Sequence, residues 1–117
     1  MLTTGVLFAG IVVSAWVERF FFYPDRVEYT SPAQFGLSAE DVWLTAPDGS
    51  RLHAWFLPAQ GAAKGTVLHL HGNAANVSNH LPLVAWLPPR GYHVLMLDYR
   101  GFGKSEGRPT LDGIVED

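Results

Sequence analysis

Apolar and polar positions follow three successive patterns along this chain. Residues Leu2 to Val17 carry no charge, and Val6-Leu7-Phe8-Ala9-Gly10-Ile11-Val12-Val13 is apolar on every face a helix can present, unlike a surface helix with one buried stripe. At about 1.5 Å per residue the uncharged stretch reaches ~24 Å, short of the ~30 Å hydrocarbon core of a bilayer. Arg19 can snorkel at its end, and Phe20-Phe21-Phe22-Tyr23 supplies aromatics of the kind that settle at a membrane interface before Pro24 stops the helix. The pattern predicts one apolar helix over residues 1–23 acting as a single-pass anchor in a lipid bilayer through residues 2–23. A buried docking helix fits the same run, as does a signal peptide cleaved near Val13-Ser14-Ala15, although the missing basic leader counts against the latter. Arg19 and Arg26 follow the run and favour a cytoplasmic core, but two charges do not assign a side of the membrane.

Residues 24–40 form a polar connector punctuated by Pro24, Pro32 and Gly36, readable as a linker or as cover over a later core. Beyond it the pattern changes to strands. Val42–Ala46 and Leu52–Leu57 flank Pro47-Asp48-Gly49-Ser50, whose residues favour a tight reversal, so an antiparallel hairpin is predicted. Thr66–Leu70 reads as a nearly continuous apolar strand of the sort buried on both faces of a sheet, and His93–Leu97 as a second. Between them Asn76 to about Leu87 has core residues at helical spacing, ended by Pro88-Pro89 and Gly91. A Gly-rich loop from Gly101 to Pro109 leads to a further helix starting at Thr110. The order β-β-β-α-β-loop-α implies an α/β sheet over residues 41–117, with the first two strands antiparallel and the later ones joined by crossovers.

The 117 residues set a ceiling of one domain, and 48% hydrophobic with 16% charged residues excludes a disordered chain. Eight basic residues against eleven acidic ones, net −3 and without a basic cluster, exclude a phosphate-tracking surface, so nucleic acid is not an expected partner. The absence of cysteine removes disulfides, thiolate metal sites and cysteine nucleophiles together. No cofactor is expected.

Two motifs follow the buried strands, where open α/β sheets bind their ligands. His71-Gly72-Asn73-Ala74 comes after the first, and a glycine there lets backbone N–H groups approach a substrate oxygen. A plain strand-to-helix turn, with Gly72 at positive φ and an Asn cap, accounts equally for these residues. Asp98-Tyr99-Arg100-Gly101-Phe102-Gly103-Lys104-Ser105 comes after the second. There Asp98 can accept N–H groups of its own loop while Arg100 pairs with a carboxylate, both as structural bonds.

Taken together, the two motifs, one helix and one strand apart, resemble the α/β-hydrolase superfamily, and in particular serine esterase-like or peptidase-like hydrolases with one N-terminal membrane segment. The resemblance extends from Phe20-Phe21-Phe22-Tyr23-Pro24 through the hairpin to both motifs. It implies that Asn73 lends its backbone N–H to an oxyanion hole, that His71, Gly72 and Ala74 are motif residues around it, and that Asp98, Arg100, Gly101, Gly103 and Ser105 build a structural loop near the site. The expected substrate is a small carboxylic ester or amide.

Such catalysis needs a serine on a G-x-S-x-G elbow, then an acid and a histidine. Gly103-Lys104-Ser105-Glu106-Gly107 matches in letters only. Its strand ends near Tyr99, Arg108-Pro109 stands where the elbow needs a helix, and no histidine follows His93. Ser105 is therefore rejected as nucleophile. P-loop and dinucleotide fingerprints fail at Asp98 and Glu106, and Asn76-Val77-Ser78 matches a glycosylation acceptor at a helix start. His69-x-His71 on one strand is the rival reading, a metal-dependent hydrolase. Roughly 80 residues remain after the anchor and connector, against the ~250 a one-domain α/β enzyme can take. The expectation is thus the N-terminal part of a membrane hydrolase lacking nucleophile, acid and catalytic histidine, or else a non-catalytic remnant that binds a partner through its sheet edge.

Overall fold

Asp48 and Gly49 reverse the chain: Asp48 Oδ1 accepts from the Ser50 N–H at 2.9 Å, and Gly49 takes φ 90°, a left-handed conformation cheap for glycine. In the computed structural model, which describes residues 20–117, the chain order is β1 (Tyr23–Pro24), β2 (Glu40–Thr45), β3 (Arg51–Leu57), β4 (Gly65–Leu70), β5 (Ala74–Ala75), α1 (Val77–Val84), β6 (Tyr92–Leu97) and α2 (Leu111–Glu116). The predicted anchor falls mainly on residues before Phe20, outside the described residues. Among the described residues no helix is long and apolar enough to cross a membrane.

The mixed sheet has the order β2-β3-β6-β4, with β2–β3 and β3–β6 antiparallel and β4–β6 parallel. A parallel pair needs a long connection, which α1 supplies. One face packs Trp55, Leu57, Val94 and Met96 against Val77, Leu81 and Val84 of α1, and the other holds Leu52, Ala54 and Leu97. β4 departs from the expectation of burial on both faces. It is an edge strand covered by α1 on one side only, and Leu68 and Leu70 remain 58% and 52% exposed.

α1 is shorter than the sequence pattern suggests. Asn76 caps it, accepting from the Ser78 N–H at 2.9 Å, but the last turn tightens, with Leu87 N–H bonding to Val84 O at 2.9 Å. Pro88-Pro89 then forms a 3₁₀ turn over Pro88–Arg90, because proline cannot donate to a continuing helix. Phe20, Phe21 and Tyr23 are exposed, but Phe22 is buried edge-on to Phe102 at 6.3 Å, and β1 pairs in parallel with β5.

Residues 25–31 lie as a strap over the ends of α1 and β6. Asn76 Nδ2 donates to the carbonyls of Asp25 (3.2 Å) and Val27 (2.8 Å), Arg26 donates to Gly103 O at 2.8 Å, and the Tyr29 N–H donates to Ser78 Oγ at 2.8 Å. Leu81 is fully buried at the centre of the α1–sheet contact. Leu81→Ala is expected to cost about 2–5 kcal/mol through the cavity it leaves. Leu68→Ala, at the open edge, is expected to cost well under half of that; thermal melts of the two variants check the contrast.

Candidate active site

The loop after β4 is built by three consecutive carbonyls, each with its own donor. The Tyr99 hydroxyl donates to His71 O at 2.9 Å, the His71 ring Nδ1 lies 2.7 Å from Gly72 O, and the Tyr23 N–H donates to Asn73 O at 2.7 Å. The Asn73 side chain adds a bond to Phe21 O at 2.6 Å. Since a carbonyl can only accept, the proton of the second contact sits on Nδ1. The peptide between Gly72 and Asn73 is planar and trans, so its N–H points opposite to the carbonyl that faces His71. The Asn73 N–H has no acceptor among the described residues, and Gly72, Asn73 and Ala74 are exposed.

The expected role of Gly72 as the positive-φ residue of this turn is corrected. Its φ is not positive, and a Cβ there would meet nothing within 4 Å. Ala75 instead takes φ 58°, where pairing of β5 with β1 holds it.

Asp98 is the hub beneath this loop. The expectation that it bonds to N–H groups of its own loop is also corrected: Oδ1 accepts from the Val77 N–H at 2.9 Å, at the start of α1, and faces His71 Nε2 at 3.2 Å. Oδ2 faces His53 Nδ1 at 3.9 Å. A carboxylate at a helix N-terminus is favoured by both bonding and dipole. Burial pushes the Asp98 carboxyl up, but His53, His71 and the Val77 N–H outweigh it and hold it below its ordinary value. His53, buried on β3, also bonds the exposed Asp41 carboxylate through Nε2 at 2.5 Å. Burial lowers its tendency to protonate, yet Asp98 and Asp41 raise it above the ordinary imidazole value. Asp41 is held low chiefly by His53.

The loop after β6 folds around the same carboxylate. Ser105 Oγ is buried, accepting from the His53 N–H at 2.8 Å and donating to Asp98 O at 2.7 Å. Gly103 adopts φ 53°, and a Cβ there would collide with the Asp98 carboxylate; one at Gly101 would collide with Pro109. Arg100 pairs with two carboxylates, Asp48 at 2.7 Å and Asp117 at 2.6 Å, tying the hairpin turn to α2. Neither His53 nor Asp41 stands out as a site residue in the sequence. Their signal is the hairpin register, in which Trp43 faces His53 and Asp41 faces Trp55, making Asp41 and His53 diagonal neighbours on one face.

The histidines of the metal reading go to different partners. His69 Nε2 lies 3.1 Å from His80 Nδ1 on α1, whereas His71 engages Gly72 O and Asp98. Among the described residues no group of three His, Cys, Asp or Glu side chains is arranged to hold a metal ion. Burial, with the neighbouring imidazoles second, disfavours protonation of His69 and His80.

These shifts fix the pH dependence of stability. His53, raised above 6.5, contributes stability that is complete below 6.5 and lost as pH climbs through its folded value. Asp98 and Asp41, lowered from 3.8, contribute above 3.8 and lose it as pH falls through their folded values. His69 and His80 act oppositely to His53, contributing above 6.5 and losing stability as pH falls below it. The informative quantity is thus the Tm difference between the wild type and His53→Gln, which is expected to be largest near pH 5 and to shrink on the alkaline side; a difference that grows there contradicts the assignment.

Residues 61–117 match the family model described as serine aminopeptidase, S33. The chain is 47% identical over 116 residues to the uncharacterized protein YfhR of Escherichia coli, covering 96% of this chain and 40% of that protein. It is 36% identical over 121 residues to the alpha/beta hydrolase domain-containing protein WAV2 of Arabidopsis thaliana, covering 97% and 39%. The chain thus spans about 40% of the length of these relatives. Among solved structures, the Pyrococcus furiosus esterase Pf2001 superposes with a TM-score of 0.64 at 27% identity, over 82% of this chain and 37% of that one. The mixed sheet, the loop after β4 and these similarities agree on an α/β-hydrolase-like fold and support the α/β-hydrolase superfamily for this chain.

Proposed function

We propose that this chain supplies the oxyanion-hole half of a serine hydrolase acting on a carboxylic ester or amide, with Asn73 as the backbone donor. The observation that carries this reading is the orientation of one peptide: Gly72 O is taken by His71, so the Asn73 N–H faces out of the loop with no partner among the described residues. An N–H so placed at the carboxyl end of a strand suits a developing oxyanion, and the bare Gly72 leaves room for the substrate beside it. The nucleophile, acid and catalytic histidine come from outside these 117 residues in this reading. Ser105 supports it by elimination, because its hydroxyl is buried and spent on Asp98 O and the His53 N–H. The uncharged run from Leu2 to Val17 supports attachment to a membrane.

In the whole protein, Gly72→Val is expected to leave folding intact, since an added Cβ meets no atom within 4 Å beyond the adjoining residues and φ is not positive there. It should lower kcat on a carboxylic ester by roughly 10²-fold, the ~3 kcal/mol scale of one lost oxyanion donor. A folded variant with wild-type kcat removes Asn73 from the site. The 117-residue chain alone is expected not to turn over p-nitrophenyl acetate, and turnover abolished by Ser105→Ala would reverse the rejection of Ser105. Washing membranes with alkaline carbonate is expected to leave the protein in the pellet; its release sinks the anchor.

A further inference from the structure

We propose that His71 is the positioning residue that orients and polarises the Gly72–Asn73 peptide, through the bond from its ring Nδ1 to Gly72 O. The inference rests on the assignment of Asn73 as oxyanion donor and extends it to the groups that set that donor's direction and strength. The two ring nitrogens of His71 are differently placed. Nδ1 lies 2.7 Å from Gly72 O, whereas Nε2, buried and without a hydrogen bond among the described residues, lies 3.2 Å from Asp98 Oδ1. The ring cannot swing away from the carbonyl, because it is buried with Tyr99 at 4.5 Å and Phe102 at 5.0 Å between centroids. Asp98 is itself fixed by the Val77 N–H at 2.9 Å and has His53 on its other oxygen.

Two consequences follow for the outward N–H. Donation to a carbonyl increases the polarity of the same amide, so the N–H on its far side becomes a stronger donor. The contact also fixes the peptide plane, so the N–H is already aimed before any charge develops on a substrate, the condition under which such donors are most effective. Exposed Gly72, with no Cβ and nothing within 4 Å, would otherwise leave this plane free to rotate. Nothing in this arrangement requires His71 to touch substrate.

Two substitutions separate the duties of the ring. His71→Asn retains an N–H donor close to the position of Nδ1 but does not reach Asp98; His71→Gln places its amide near Nε2 and loses the bond to Gly72 O. In the whole protein, His71→Gln is expected to lower kcat about tenfold with KM within about twofold, and His71→Asn to stay within about threefold of wild type, a fraction of the loss of an entire donor. The Asn73 amide proton is expected to move upfield in the Gln variant and to stay near its wild-type position in the Asn variant. Nitrogen NMR of the wild type, which needs no variant to fold, is expected to find a proton on His71 Nδ1. An unprotonated Nδ1, or variants equally impaired, or Asn impaired more than Gln, overturns the proposal and assigns His71 to Asp98 alone. If the nitrogen spectra and amide shifts come out as expected but Gly72→Val keeps full kcat, the oxyanion reading itself has failed and this role falls with it.

Discussion

A single buried carboxylate, Asp98, constrains most of what surrounds it. Removing such a charge from water is costly unless each oxygen is paired or hydrogen-bonded. Here Oδ1 takes the first N–H of α1 and faces His71, while Oδ2 faces His53. The start of α1, the strand β3 and the loop after β4 are therefore positioned by one group at the end of β6. The loop that follows has no freedom to choose its own path: Gly103 must lack a Cβ to pass the carboxylate, and Ser105 must bridge Asp98 O to the His53 N–H.

This arrangement gives the two sequence motifs a physical connection. His-Gly-Asn and Asp-x-Arg-Gly lie a helix and a strand apart in sequence, yet parallel pairing of β4 with β6 sets Leu70 beside Leu97 and so brings His71 next to Asp98. The strap adds the third side. Through Asp25 and Arg26 it bonds to Asn76 and Gly103 O, and Tyr23 just before it bonds to Asn73 O. Arg100 does the corresponding work at the far end, where Asp48 and Asp117 hold the hairpin turn and α2 to the same loop. These bonds leave the Asn73 N–H without an acceptor among the described residues.

The elements were largely legible in the residues. Turn chemistry at Asp48-Gly49, the cap at Asn76 and the Pro88-Pro89 stop are local effects, and local effects survive translation into structure with shifts of a residue or two. The pairing of Arg100 with carboxylates was equally legible, because a guanidinium near a sheet end needs an anion, although which anions was not. The site was legible only in part. Asn73 and His71 announce themselves by following a run of apolar strand residues; His53 and Asp41 do not, because their proximity depends on the register of a hairpin rather than on spacing in one segment.

What the sequence alone determined is accordingly what near neighbours in the chain can enforce: strand and helix periods, turns, caps, and the two motifs that mark an α/β hydrolase. Only the tertiary structure decided that Asp98 turns to α1 and two histidines instead of to its own loop, that Ala75 and not Gly72 carries the positive φ, and that β4 keeps Leu68 and Leu70 exposed at an edge. The physical reason is the same in each case. A buried charge, a backbone N–H and an apolar face are satisfied by whichever partner comes within reach, and reach is set by the order of strands in the sheet, β2-β3-β6-β4, which no local pattern of residues encodes.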